Sequence, residues 1–251
     1  MSNKTRKLTT LQKIKQILPI ENADAIELIK FENVAWQCVA KKGEFKIGDL
    51  AIYFEIDSLI PTTNPIFNFL AKGGTKTVTT NGQTYTGYRL RTMKMRGVLS
   101  QGLALPLALF PKIKTNSDFD TTLNIVKYER LILNKDEVLG DFHSQTPKTD
   151  EERIQNLVQD WAKWQDLEFT ATEKVDGSSC TIVQELDQQG KLVKRVIDEL
   201  LLFAEGESKL ASGVEREGLV FRSVKSIQNG NQLNRISFKA ISNKYLLNGG
   251  E

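Results

Sequence analysis

Histidine occurs once in these 251 residues, at His143, and cysteine twice, at Cys38 and Cys180. The cysteines lie far apart with no CxxC or Cys/His spacing, so neither zinc binding nor Ser-His or Cys-His catalysis is expected. Long apolar runs are also lacking. None approaches the roughly 20 residues needed to span a bilayer, and Met1 to Lys15 is basic and polar without the apolar stretch of a signal peptide. A cytoplasmic location is expected. Internal repeats and low-complexity tracts are absent too. What is present is a 40% hydrophobic chain, enough for a sizeable core in two modest domains or one large one.

The net charge of +3 hides an asymmetry. Residues 1 to 130 carry 19 Lys+Arg against 11 Asp+Glu, a balance of +8, while the remainder carries −5. A basic first part followed by an acidic second is what a polyanion-binding module joined to an enzymatic domain would look like, although solvated surface alone produces such imbalances.

The first part reads mostly as strands and turns. Ala35 to Ala40 and Leu50 to Ile56 are rich in β-formers, with Lys41-Lys42-Gly43 and Lys46-Ile47-Gly48-Asp49 as turn chemistry between them. Tyr88 to Met95 follows the turn signal Asn81-Gly82 as a further strand. Short, regularly spaced strands favour a small barrel or sandwich, and of these an OB-like β-barrel is expected. Around Asp141 to Lys148 the chain becomes polar and contains Pro147, which marks a linker. Thr149 and Glu152 have capping-box spacing ahead of Ile154, Leu157, Val158 and Trp161, which predicts an amphipathic helix. Phe169 to Glu185 reads as strand, tight turn at Asp176-Gly177, and strand. Val196 to Phe203 reads as helix, and Gly218 to Arg222 and Arg235 to Lys239 as short strands. The expected class is α+β: a basic OB-like module over 1–140, then a second domain over 147–251 of antiparallel strands with flanking helices.

The motif Thr172-Glu173-Lys174-Val175-Asp176-Gly177-Ser178-Ser179 contains Lys-x-Asp-Gly, which alone is also compatible with a charged β-turn. Downstream lie Glu217-Gly218-Leu219-Val220-Phe221-Arg222 and Ser237-Phe238-Lys239-Ala240-Ile241-Ser242-Asn243-Lys244-Tyr245. These three segments, in this order, resemble the nucleotide-site motifs of ATP-dependent RNA ligases of the Deinococcus type, within the lysine nucleotidyltransferase superfamily. Leu8 to Ile14, Lys41 to Asp49, Tyr88 to Gly102 and Pro147 to Asn156 resemble other parts of the same family. The resemblance therefore spans most of the chain.

The resemblance implies a shortened nucleotidyltransferase (ATP-grasp-like ligase) domain that uses ATP and Mg2+. Lys174 would accept AMP, Glu173, Asp176, Gly177, Glu217 and Arg222 would bind the nucleotide, and Lys239 would face its phosphates. A lysine amine attacks phosphorus only when neutral, and an unperturbed lysine, at a pKa of about 10.4, is charged at neutral pH. Desolvation and nearby cations favour the neutral form. Taken singly, Asp176 is also an ordinary turn residue, Glu217 and Arg222 a solvated strand pair, and Lys239 an edge-strand charge.

A second candidate surface is Tyr85 to Arg96. In one extended strand Arg89 and Arg91 share a face, as do Lys94 and Arg96, beside Tyr85 and Tyr88. Such a face could track RNA phosphates and stack bases, or simply solubilise a strand.

The chain departs from the family between Lys174 and Glu217. Glu217 follows Lys174 by only 43 positions, where family members place far more chain. An arginine-bearing strand, an acidic Gly-Glu motif and an adenine-stacking aromatic motif have no counterpart there, and Ser237 stands where some relatives carry a lysine. Two functions follow. One is joining of RNA 5′-phosphate and 3′-hydroxyl ends through lysyl-AMP at Lys174. The other is a catalytically impaired remnant that binds RNA. The short spacing predicts poor self-adenylation or none.

Overall fold

The structure is a computed structural model that describes residues 7–80, 82–115, 117–129, 151–174, 197–211, 213–224, 227–229, 232–234 and 236–248. It divides into two units. The first comprises Met1–Glu32 and Gln37–Asp150, the second Asn33–Trp36 and Glu151–Glu251. The four residues at 33–36 thus leave the strand expected from Ala35, which begins at Gln37 instead.

In the first unit, β1 (Thr9–Pro19) serves two partners. Its first half pairs with β4 (Leu50–Phe54) and its second half with β2 (Ile26–Phe31), with the register shifting between Ile14 and Gln16. An irregularity of this kind bends a strand, so one strand can turn a barrel corner. With β3 (Gln37–Lys41) and β10 (Leu103–Pro106) the order is β10-β4-β1-β2-β3. A second sheet orders β11 (Val126–Lys127), β5 (Ser58–Pro61), β7 (Gln83–Arg89) and β6 (Lys76–Thr80) as β11-β5-β7-β6, and β8 (Thr92–Met95) pairs with β9 (Val98–Gln101).

Side chains join β3 to β9: Val39 N–H donates to Ser100 Oγ (3.0 Å) and Gln37 Nε2 to the Leu99 carbonyl (3.0 Å). The result is a nearly closed, antiparallel OB-type barrel around Phe54, Phe67 and Phe110. Gly102 is obligatory within it. Its φ is +98°, and a Cβ there would strike the Phe54 carbonyl and the Tyr53 ring. The short α1 (Phe119–Leu123) brings Asp120, whose Oδ2 accepts from Leu8 N–H at 2.9 Å.

The expected single strand from Tyr88 to Met95 is two strands. β7 ends at Arg89, and Leu90 makes the last bonds to the β5 side, its N–H donating to the Ser58 carbonyl and its carbonyl accepting from Asp57 N–H, before β8 begins at Thr92. Arg91 lies at the corner, and Arg96 sits in the β8–β9 turn with φ of +47°.

In the second unit, β12 (Phe169–Lys174), β13 (Gly218–Ser223) and β16 (Ser237–Ile241) form an antiparallel sheet in that order. Arg235, where the sequence pattern placed the start of the last strand, lies outside the described residues, and the strand runs from Ser237. One face packs against α2 (Val158–Trp164) and α3 (Ile197–Ala204). Phe238 is the hub, with ring centroids 5.1 Å from Phe221, 5.2 Å from Phe169 and 5.7 Å from Trp161. β14 (Ile227–Asn229) and β15 (Gln232–Asn234) form a separate ribbon, and α4 (Asn243–Leu247) follows β16.

The helix expected from the capping box begins only at Val158, after a 3-10 turn over Ile154–Asn156. Thr149 lies outside the described residues. Glu152 and Arg153 are held extended beside β16 instead, with the Glu152 carbonyl accepting from Lys239 N–H at 3.0 Å and Arg153 bridging Lys239 in parallel.

Candidate functional site

Strand alternation builds the site in the second unit. Along β12, Phe169 and Ala171 are buried in the core, as are their neighbours Leu219, Phe221, Phe238 and Ala240. The intervening positions share the other face: Thr170, Arg222 and Ser237 form one cross-strand row, Thr172, Val220 and Lys239 the next, and Lys174, Gly218 and Ile241 the last. Lys174, Arg222 and Lys239, far apart in sequence, therefore lie on one sheet face, each half-buried.

At the end of that face Lys174 Nζ meets Glu217 Oε1 at 2.5 Å. The carboxylate side chain is 13% exposed and the lysine 27%. Backbone contacts fix Glu217. Its carbonyl accepts from Ser242 N–H at 2.8 Å, and the next residue, Gly218, lies so close to the Ala240 carbonyl that no Cβ fits. Arg222 Nη2 is 3.4 Å from Glu151 Oε1. Glu217 Oε2 is buried and has no hydrogen-bond partner among the described residues. One buried carboxylate oxygen of this kind fits Mg2+, a hard cation that usually keeps water and phosphate oxygens as its other ligands. Among the described residues no group of three His, Cys, Asp or Glu forms a ready-made metal cage.

Glu173 does not join this group. It alternates to the other side of β12, where its Oε2 accepts from Lys209 N–H at 2.9 Å. Asp176 and Gly177 lie outside the described residues. Cys38 is no rival nucleophile: its thiol donates to the Gln101 carbonyl at 3.4 Å, and complete burial pushes its pKa far up.

The basic surface of the first unit also differs from its sequence pattern. Arg89 Nη2 is 3.0 Å from Asp57 Oδ1 in a pair whose side chains are 11% and 8% exposed, and its guanidinium lies 4.4 Å from the Tyr128 ring centroid. Tyr88 is buried. Arg91, Lys94 and Arg96 are exposed, together with Met93 and Met95. The surface open to a polyanion is thus the corner and β8–β9 ribbon, without Arg89.

An OB-fold domain family matches residues 8–107, which hold β1 to β10 of the first unit. Among curated proteins none matches. Among solved structures, Naegleria gruberi RNA ligase with PPi is 30% identical, covering 96% of this chain and 98% of its own at a TM-score of 0.73. The chain belongs to the RNA ligase family. Mutants of the same ligase with ATP and Mn, and with AMP and Mn, match at 29% identity, with TM-scores of 0.74 and 0.75 and the same coverages.

In this member of the RNA ligase family, several contacts around Arg222 and Glu217 involve residues whose sequence context did not single them out. Glu151 next to Arg222 and Ser242 behind Glu217 belong to segments already noticed, but which side chain or amide points inward depends on register. Arg216, beside Glu217, gave no signal beyond its charge.

Proposed function

We propose that the chain joins RNA ends in an ATP-dependent reaction that passes through lysyl-AMP at Lys174. The observation that carries this reading is the Lys174–Glu217 pair on the sheet face that also bears Arg222 and Lys239. A primary amine, a buried carboxylate and two further cations on one surface suit an anionic, phosphate-rich ligand. ATP, PPi and AMP, present with the Naegleria ligase in its structures, are the substrate and the two leaving products of an ATP-dependent ligation that passes through lysyl-AMP.

In the first step the neutral Lys174 amine attacks the α-phosphorus of ATP, a nitrogen–phosphorus bond forms, the α–β phosphate bond breaks and pyrophosphate leaves. Because Lys174 Nζ is held against Glu217 Oε1, separation of the pair is part of the reaction. Glu217 Oε2 would hold Mg2+, which when bound supplies neutralisation of phosphate charge. Lys239 and Arg222 stabilise the phosphate charge that develops during transfer. An RNA 5′-phosphate then takes the AMP from Lys174, and a 3′-hydroxyl displaces it. Asp176 and Gly177 complete the turn after the nucleophile in this reading. Arg91, Lys94 and Arg96 track the RNA backbone, and the protein works in the cytoplasm.

The 42 residues between Lys174 and Glu217 favour slow catalysis, because little chain remains to enclose the base. The same observation supports the second reading, an RNA-binding protein without ligase activity. Conversion of a 5′-phosphorylated linear RNA to a circle in the presence of ATP and Mg2+ tests the first. Binding of that RNA with no conversion, however long the incubation, supports the second.

A further inference from the structure

We propose that Arg216 is a positioning residue for the Lys174–Glu217 pair, acting through the carboxyl end of α3. The proposal rests on reading that pair as the nucleophile and its carboxylate. Arg216 Nε donates to the Ala204 carbonyl at 3.0 Å, and its Nη2 to the carbonyls of Phe203 (2.6 Å) and Glu205 (2.7 Å). Its own N–H donates to the Gly206 carbonyl at 3.0 Å. The last carbonyls of a helix lack intrahelical donors and carry the negative end of its dipole, so a planar guanidinium fork is well suited to gather them.

The loop from α3 to β13 is tied at a second point beside the nucleophile. Glu173, the residue before Lys174, accepts from Lys209 N–H, and Glu207 bridges Glu215 across the loop. Glu217 is consequently fixed on both sides, by Arg216 on α3 before it and by Gly218 against Ala240 after it. With its backbone set in this way, its carboxylate reaches Lys174. Releasing Arg216 frees the amino-terminal side of Glu217 and loosens the pair.

The test is independent of ATP. The full chain is labelled with limiting acetic anhydride, and acetylation of Lys174 is read by mass spectrometry relative to Lys163, whose side chain is 74% exposed. Glu217→Gln should accelerate labelling of Lys174 roughly fivefold, the factor corresponding to one partly exposed ion pair. Arg216→Met should approach that value, Arg216→Lys should fall between it and the unmodified chain, and the Arg216→Met/Glu217→Gln double variant should exceed Glu217→Gln by nothing. An unchanged Lys174 ratio in Arg216→Met, or an equal acceleration of Lys174 and Lys244, would overturn the positioning role. Should circular dichroism find Arg216→Met unfolded, Arg216→Lys decides by the same comparison. An unchanged ratio in Glu217→Gln would overturn the pair itself, and with it the reading of the site on which this proposal rests.

Discussion

Gly218 and Ala240 lie so close across β13 and β16 that the carbonyl of one occupies the space a Cβ on the other would need. The contact seats Glu217, one residue earlier, where it meets Lys174. Gly218→Ala should therefore destabilise the second unit by about 1–3 kcal/mol through overpacking and disturb the Lys174–Glu217 pair at the same time. Denaturant unfolding measures the first effect, and acetylation of Lys174 the second.

Arg89 and Arg91 should separate stability from binding. Arg89→Ala leaves the buried Asp57 carboxylate without its guanidinium partner, a loss on the order of 3–5 kcal/mol for a buried pair. Arg91→Ala should leave stability unchanged, weaken RNA binding, and reduce the slope of log affinity against log salt by about 0.7 if one single-strand phosphate contact is lost. Binding titrations at several salt concentrations, alongside urea melts, check both.

Phe238→Ala removes the ring that meets Phe169, Phe221 and Trp161. Loss of such a buried ring costs about 3–5 kcal/mol. Because the core belongs to the second unit, Trp161 fluorescence should report early unfolding while barrel strands keep their hydrogen-exchange protection.

Asp120 gives the first unit a pH dependence. Burial pushes its carboxyl above the ordinary aspartate value, with the Leu8 N–H bond opposing the shift. A raised folded pKa means that the folded state binds the proton more tightly than the unfolded chain. Its stability contribution is thus full below the unfolded value, about pH 3.9, and is lost as pH rises through the folded one. Asp120→Asn, which is always neutral, should raise the melting temperature relative to the unmodified chain near pH 7, and the gap should close towards pH 3. A constant gap across that range would remove Asp120 as its source.

The OB-like barrel was legible because its turns and strands depend on local chemistry. Gly43 and Gly48 mark turns and Leu50 to Phe54 is a β-forming run, whereas the segments around Lys174, Glu217 and Lys239 stood out by their resemblance to a family. Less legible was anything set by register. Alternation places Glu173 opposite Lys174, and no neighbouring residue in the sequence says that Asp57 will take Arg89 out of the exposed surface. The capping-box spacing at Thr149 and Glu152 misled for a related reason. A tertiary bond from the Glu152 carbonyl to Lys239 N–H outweighed the local helix signal and delayed α2 to Val158.

The central claim is that Lys174 is the residue that carries AMP, and the most direct measurement is covalent labelling of the full chain with α-labelled ATP and Mg2+, beside Lys174→Ala. The account predicts slow labelling, released by acid as expected of a phosphoramidate, absent from Lys174→Ala and strongly reduced in Glu217→Gln. Labelling that persists in Lys174→Ala, or none above background in the unmodified chain, would contradict it.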